Sequence, residues 1–134
     1  MSNEIVKLSE EEFVFKAKHH IIDRFGPGKH EKPHSHNYRF IISLEGVIPQ
    51  NGMVIDFADF KKIVNHNIIQ KLENKDLNKR FAQPSAENIS VWIWNNLVHK
   101  FPARITLKKV TVYEKPGSAV TYKGKKKMME SIWM

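Results

Sequence analysis

Asn37-Tyr38-Arg39-Phe40-Ile41-Ile42-Ser43-Leu44-Glu45-Gly46-Val47 decides the fold class of this chain. Tyr38, Phe40, Ile42 and Leu44 fall at every second position, with Asn37, Arg39 and Ser43 between them. This is the period of a β-strand that buries one face and wets the other. Upstream, Phe13, Phe15 and Ala17 alternate in the same way with Val14, Lys16 and Lys18, and Gly26-Pro27-Gly28 breaks the chain between the two segments. Downstream, Asn51-Gly52 marks a turn. Asp56 is placed to cap a helix carrying Phe57, Phe60, Ile63, Val64 and Ile68, and Pro84-Ser85 opens another with Ile89, Ile93 and Leu97 on one stripe. A third strand runs from about Ile105 to Glu114, and Pro116-Gly117-Ser118 turns it into a short fourth through Val120 and Tyr122. Two strands, two helices and two strands predict an α+β fold, a four-stranded antiparallel sheet with two helices on one face, rather than a parallel βαβ fold.

The whole chain, 134 residues long and 41% hydrophobic, is expected to be a single domain, residues 1–134, large enough to bury a core without staples. It has no cysteine, which excludes a disulfide scaffold, a thiolate zinc finger and a cysteine nucleophile, and fits a reducing compartment. No apolar run approaches the roughly 20 residues of a membrane helix, and Met1-Ser2-Asn3-Glu4 lacks a basic n-region followed by an apolar h-region, so no export signal is expected. A cytoplasmic protein with no membrane partner is expected. The formal net charge is +8. Its densest run, Lys123-Gly124-Lys125-Lys126-Lys127, has only Tyr122 as an aromatic neighbour. Single-strand binders interleave rings with cations, so this run reads as a solvated tail and no nucleic-acid partner is expected. The remaining basic charge suits a small polyphosphate substrate.

The chemistry begins with the histidines, of which the chain has seven. His19 continues the inward row of Phe13, Phe15 and Ala17, while His34 and His36 begin the inward row that runs on through Tyr38 and Phe40. Pairing the two strands would join them. Three imidazoles from two strands make three protein ligands of a tetrahedral zinc, with the fourth position open. An H-x-H pair alone is more often a pair of ordinary half-buried histidines. His20 falls on the opposite face, and His66 and His99 read as helix-surface residues.

Several separated motifs occur in one order: Phe15-Lys16-Ala17-Lys18-His19, His34-Ser35-His36-Asn37-Tyr38, Gly52-Met53-Val54-Ile55-Asp56-Phe57, Pro84-Ser85-Ala86-Glu87-Asn88 and Val112-Tyr113-Glu114. They resemble the F-x-A-x-H, H-G-H-N-Y, G-M-V-x-D-F, P-T-x-E-N and V-x-E motifs of the 6-pyruvoyl-tetrahydropterin synthase and 6-carboxytetrahydropterin synthase family. The resemblance implies the T-fold, and a homohexamer built from barrel-forming trimers with pterin sites between subunits. It also implies Zn2+ on His19, His34 and His36, with Glu114 as the carboxylate that grips the pterin ring. Such a carboxylate accepts two parallel donors, the 2-amino group and N3-H. Ser35 for the middle Gly and Ser85 for Thr are mild departures, and Met53, Phe57 and Trp92 to Trp94 read as core or subunit-interface residues.

The general base departs further. The family's cysteine stands four residues before the H-x-H pair, where this chain has His30. Its L-D-H-x-x-L-N segment, whose Asp and His assist that cysteine, is here Leu72-Glu73-Asn74-Lys75-Asp76-Leu77-Asn78. Glu31, however, gives E-x-x-H-x-H, which resembles the subclass in which a glutamate replaces the cysteine. Glu31 is therefore the expected catalytic base, with His30 as helper; against it stands a plain charged loop, Lys29-His30-Glu31-Lys32. By resemblance the chain is a zinc-dependent pterin lyase acting on 7,8-dihydroneopterin triphosphate, with a place in queuosine or folate biosynthesis. The alternatives are glutamate-dependent C6 side-chain cleavage to 6-hydroxymethyl-7,8-dihydropterin, or a homologue that binds zinc and pterin without turnover.

Overall fold

A computed structural model of the chain describes residues 4–126, without the side chains of Glu10 and Glu11. Strands β1 (Ile5–His19), β2 (His34–Val47), β3 (Ile105–Lys115) and β4 (Ser118–Tyr122) form one antiparallel sheet in the order β1-β2-β3-β4. Between β2 and β3 lie helices α1 (Phe57–Val64), α2 (Gln70–Leu72) and α3 (Ala86–Leu97). A π-helical turn, Asn65–Ile69, joins α1 to α2 in one rod. Two helical rods on an antiparallel sheet are the α+β architecture that the element order predicts.

The alternating rows become the core. Phe15 sits opposite Tyr38 with the rings stacked at 4.8 Å, and Phe13 sits opposite Phe40 with the rings at 5.3 Å. Tyr38, Phe40, Ile42 and Leu44 are all fully buried, together with Ile89, Ile93 and Leu97 of α3 and Val110 and Val112 of β3. Fully burying such side chains contributes about 1.5–3 kcal/mol apiece, enough to hold the sheet and α3 in one register.

Three features escape a period-of-two or simple helical reading. β1 begins well before Phe13, because a bulge between Glu10 and Phe13 resets the alternation from Val6 and Leu8 to Phe13 and Phe15. In the helical rod, the Asn67 side-chain amide donates to the Ile63 carbonyl at 2.7 Å, the position where the ladder widens into the π turn. That widening keeps Phe60, Val64, Ile68 and Leu72, each four residues from the next, on one buried face. His99 lies in a turn beyond α3 rather than on a helix.

Caps follow the expected chemistry: Asp56 accepts from the Ala58 N–H at 2.7 Å and Ser85 from the Asn88 N–H at 3.2 Å. Met53 and Phe57 are about half exposed in this chain and so lie outside its core. At the C-terminal end Tyr122 packs edge-on against Trp94, and Gly124, at φ +92°, lies so close to the Trp94 ring that a Cβ would press on it. Lys123, Lys125 and Lys126 are exposed, and Lys127 lies outside the described residues. Among the described residues, no helix is long and apolar enough to cross a membrane.

Candidate metal centre

His19 and His34 are direct cross-strand partners at the open end of the β1–β2 ladder, and His36 pairs with the small Ala17. The three imidazoles therefore meet on the helix-covered face, edge to face, with ring centroids 4.7–4.9 Å apart. Their Nε2 atoms converge: His19 to His34 is 3.2 Å and His34 to His36 is 2.9 Å. Nitrogens bound at about 2.0–2.1 Å around a tetrahedral metal lie roughly 3.4 Å apart, close to this spacing.

The outer nitrogens explain why the Nε2 atoms face inward. His19 Nδ1 lies 2.9 Å from the Pro84 carbonyl and 3.1 Å from the Tyr38 hydroxyl, and His34 Nδ1 lies 2.8 Å from the Lys32 carbonyl. A carbonyl only accepts, so Nδ1 carries the proton and donates. In neutral rings Nε2 then presents a lone pair to the centre, and lone pairs at this spacing repel unless a cation lies among them. The donor set thus fits a divalent metal.

Glu114 enters from β3. A bulge between Tyr113 and Lys115 leaves it without a β4 partner, and it continues the inward row of Val110 and Val112. Its Oε1 lies 3.0 Å from His36 Nε2 and 3.5 Å from His19 Nε2, so the ligand atoms of His19, His34, His36 and Glu114 fall within 4.8 Å of one another. The electrostatics agree with a site made for positive charge. When His19 carries a second proton, on Nε2, the hydrogen bond it donates holds the Glu114 carboxyl below its usual range, against the effect of its partial burial. Burial alone would depress His19, yet Glu114 and the Pro84 carbonyl outweigh it and raise its pKa. His36 is lowered, mainly by burial. Burial pushes the Tyr38 phenol up, so it stays a neutral hydroxyl beside His19.

Glu31 reaches the same centre from the loop between β1 and β2. Its Oε1 lies 3.5 Å from His34 Nε2 and accepts from the Ile21 N–H at 3.1 Å, while Oε2 pairs with Arg24 at 3.0 Å. The loop is built to hold it. Asp23, at φ 56°, accepts from the Gly28 N–H at 2.7 Å, and Glu31 N–H donates to the Ile21 carbonyl at 2.9 Å. Gln83 grips the Ile22 backbone through both amide atoms, and Asn78 grips His20 in the same way. His30 is turned elsewhere: its Nδ1 accepts from the Asp23 N–H at 3.0 Å, and the side chain is nearly half exposed. His20 stands outside the ligand group, and His66 and His99 are exposed.

A model of the 6-pyruvoyl tetrahydropterin synthase family matches residues 8–125. The chain belongs to that family. The human 6-pyruvoyl tetrahydrobiopterin synthase is 35% identical over 126 residues, covering 82% of this chain and 86% of the human one. A dihydroneopterin monophosphate aldolase of Pyrococcus furiosus is 32% identical over 84 residues, covering 63% of this chain and 72% of its own. Among solved structures, the Plasmodium vivax 6-pyruvoyltetrahydropterin synthase, in a form with alanine in place of a catalytic glutamate, matches with a TM-score of 0.75 at 24% identity. It covers 90% of this chain and 98% of the other. The fold is the T-fold of these synthases, and as a family member the chain is a pterin lyase.

Sequence reasoning missed the groups that orient the centre. Tyr38 was visible in the inward row, two positions after His36, and its hydroxyl on His19 is a readable consequence of that row. The Pro84 and Lys32 carbonyls, and the Gln83 and Asn78 clamps, depend on tertiary approach across 65, 61 and 58 residues or on loop geometry, and leave no local pattern.

Proposed function

We propose that this chain is a zinc-dependent pterin lyase that cleaves the C6 side chain of 7,8-dihydroneopterin triphosphate or a near phosphate ester, with Glu31 as the base. The observation that carries this reading is the Glu31 carboxylate 3.5 Å from His34 Nε2, in a chain without cysteine. The Pyrococcus aldolase and the catalytic glutamate of the Plasmodium vivax protein add support.

His19, His34 and His36 would hold the zinc. Bound there, the metal supplies a Lewis acid that draws charge from the vicinal hydroxyls of the side chain. Glu31 takes the proton of the C2′ hydroxyl, and its charge is held in place by Arg24 and the Ile21 N–H. As C2′ becomes a carbonyl, the C1′–C2′ bond breaks, and its electron pair passes to C1′ in conjugation with the ring imine. The proton on Glu31 returns to C1′. The products are 6-hydroxymethyl-7,8-dihydropterin and the phosphorylated glycolaldehyde. Removing a hydroxyl proton is within the reach of a carboxylate, which favours this cleavage over the repeated C–H proton transfers of triphosphate elimination. The similarity to the human synthase favours elimination as the second reading. Incubating the zinc-loaded protein with dihydroneopterin triphosphate and separating the pterins decides between them. The hydroxymethyl pterin is expected, and a 6-pyruvoyl product would overturn the cleavage.

Glu114 is the group we assign to the pterin's 2-amino and N3-H donors, with one oxygen already turned toward the imidazoles. Glu114→Gln presents a donor where an acceptor is needed. Equilibrium dialysis should show pterin affinity falling by roughly tenfold or more, the loss of a charge-assisted bond. Zinc content should hold; its loss would make Glu114 a metal ligand instead.

We further propose a cytoplasmic homo-oligomer, a hexamer, because the sheet leaves edge strands that invite association. Sedimentation velocity at micromolar concentration should show a species near six chains, and a strict monomer would refute it.

A further inference from the structure

A groove of about 1000 Å³ runs along the outer edge of β1, away from the histidine centre. It is lined by Lys16 and Lys18 of β1, Lys71 of α2, and Lys75, Lys79 and Arg80 of the segment that follows. All six side chains are exposed. The groove's one acid, Asp76, spends a carboxylate oxygen on the Asn78 N–H at 3.1 Å. Among the described residues none of the six cations has a carboxylate within 4.0 Å, and Arg80 rests on the Trp92 ring. Elsewhere on the chain, Arg24 and Arg39 do find acidic partners.

Six unneutralised cations around one hollow repel each other, and low-dielectric walls focus their field into it. A compact ligand with several negative charges relieves that repulsion. Lysine ammonium groups are point charges suited to phosphate oxygens, without the planar fork that would select a carboxylate.

The groove is separate from the metal centre of its own chain. Lys18 precedes His19 and Ser35 lies between His34 and His36, so strand alternation sends these side chains to the other face. The way round the edge is closed, because the Asn74 N–H donates to the Lys16 carbonyl at 2.7 Å and the Lys18 N–H to the Lys75 carbonyl at 2.9 Å. The Glu73 carboxylate accepts from the Lys16 N–H at 2.9 Å.

We infer that this groove is an oligophosphate-binding site, taking an anion with three or more negative charges. The anion is either a free polyphosphate-bearing ligand or the phosphate tail of a substrate seated in another copy of the chain; only the second source rests on the lyase reading.

Calorimetric titration of the zinc-loaded full chain with inorganic tripolyphosphate tests this. The parent should bind with an affinity that falls steeply with salt. The double variant K75E/K79E should bind roughly tenfold or more weakly, K75Q/K79Q should fall between, and K123E/K125E should match the parent. Equal binding by K75E/K79E and the parent would overturn the site. So would an equal loss in K123E/K125E, which would reduce the effect to diffuse attraction toward a chain of net charge +8. A KM raised in K75E/K79E for dihydroneopterin triphosphate but not for dihydroneopterin assigns the tail of a neighbour's substrate, and unchanged KM values with lost tripolyphosphate binding assign a separate ligand. The titration needs no turnover, so it reads the groove even if the lyase reading fails.

Discussion

Glu31→Gln is expected to keep its zinc and its pterin affinity and to lower turnover by something on the order of 10²–10⁴, the usual worth of a positioned acid or base. Glutamine preserves the shape and can still accept from the Ile21 N–H, which Glu31 holds at 3.1 Å, so the loop should survive. What is lost is a group able to carry a proton between oxygen and carbon. The comparison that gives the result meaning is His30→Gln. His30 accepts from the Asp23 N–H at 3.0 Å and shapes the loop, so its loss should cost activity only modestly, and a glutamine can restore part of that bond. Single-turnover kinetics separates the two variants. Parent-rate chemistry in Glu31→Gln beside an inactive His30→Gln would transfer the base to His30.

His34→Ala should leave the fold intact and strip the metal. The side chain is partly exposed, and its removal leaves the buried rows of β1 and β2 unchanged. Zinc affinity should fall by far more than the 10–100-fold typical of losing an orienting partner, since one of three nitrogen ligands disappears. Metal analysis after dialysis, with a far-UV spectrum as the fold control, reads this directly. Retention of a full zinc complement by folded protein would sink the ligand assignment. Tyr38→Phe offers the graded comparison, because it removes only the hydroxyl 3.1 Å from His19 Nδ1 and should weaken zinc binding by about 10–100-fold.

Much of this was legible in the residues because the decisive interactions are short-period. Tyr38, Phe40, Ile42 and Leu44 fix which face of β2 is buried, and the same parity carries His34 and His36 to that face. His19 follows from the row begun at Phe13, and Glu114 from the row of Val110 and Val112. Parity fails at bulges, so the part of β1 before Phe13 was missed. The π turn was hidden because one amide, that of Asn67, competes with the helix ladder in a way that composition does not display. The replaced Asp-His positions of the family motif were readable as a loss, while their present use was not. Glu73 and Asn74 now hydrogen-bond the β1 backbone at Lys16, and Asn78 clamps His20. These contacts join residues 57 and 58 positions apart, beyond any local pattern.

The tie between Asn74, Lys75 and the last residues of the β1 backbone has a geometric consequence for assembly. It occupies the outward hydrogen-bonding groups of Lys16 and Lys18, so the ladder that a further strand would need ends there. A strand from a second chain can join β1 only alongside the residues before Lys16, displaced toward Ile5. Where sheets are joined edge to edge around an axis, that displacement is the stagger, and stagger together with strand number fixes the tilt and diameter of the closed ring. The short segment 73–76, tied to the outer edge of β1, thus acts as an end stop, setting the shear of any barrel this chain can form.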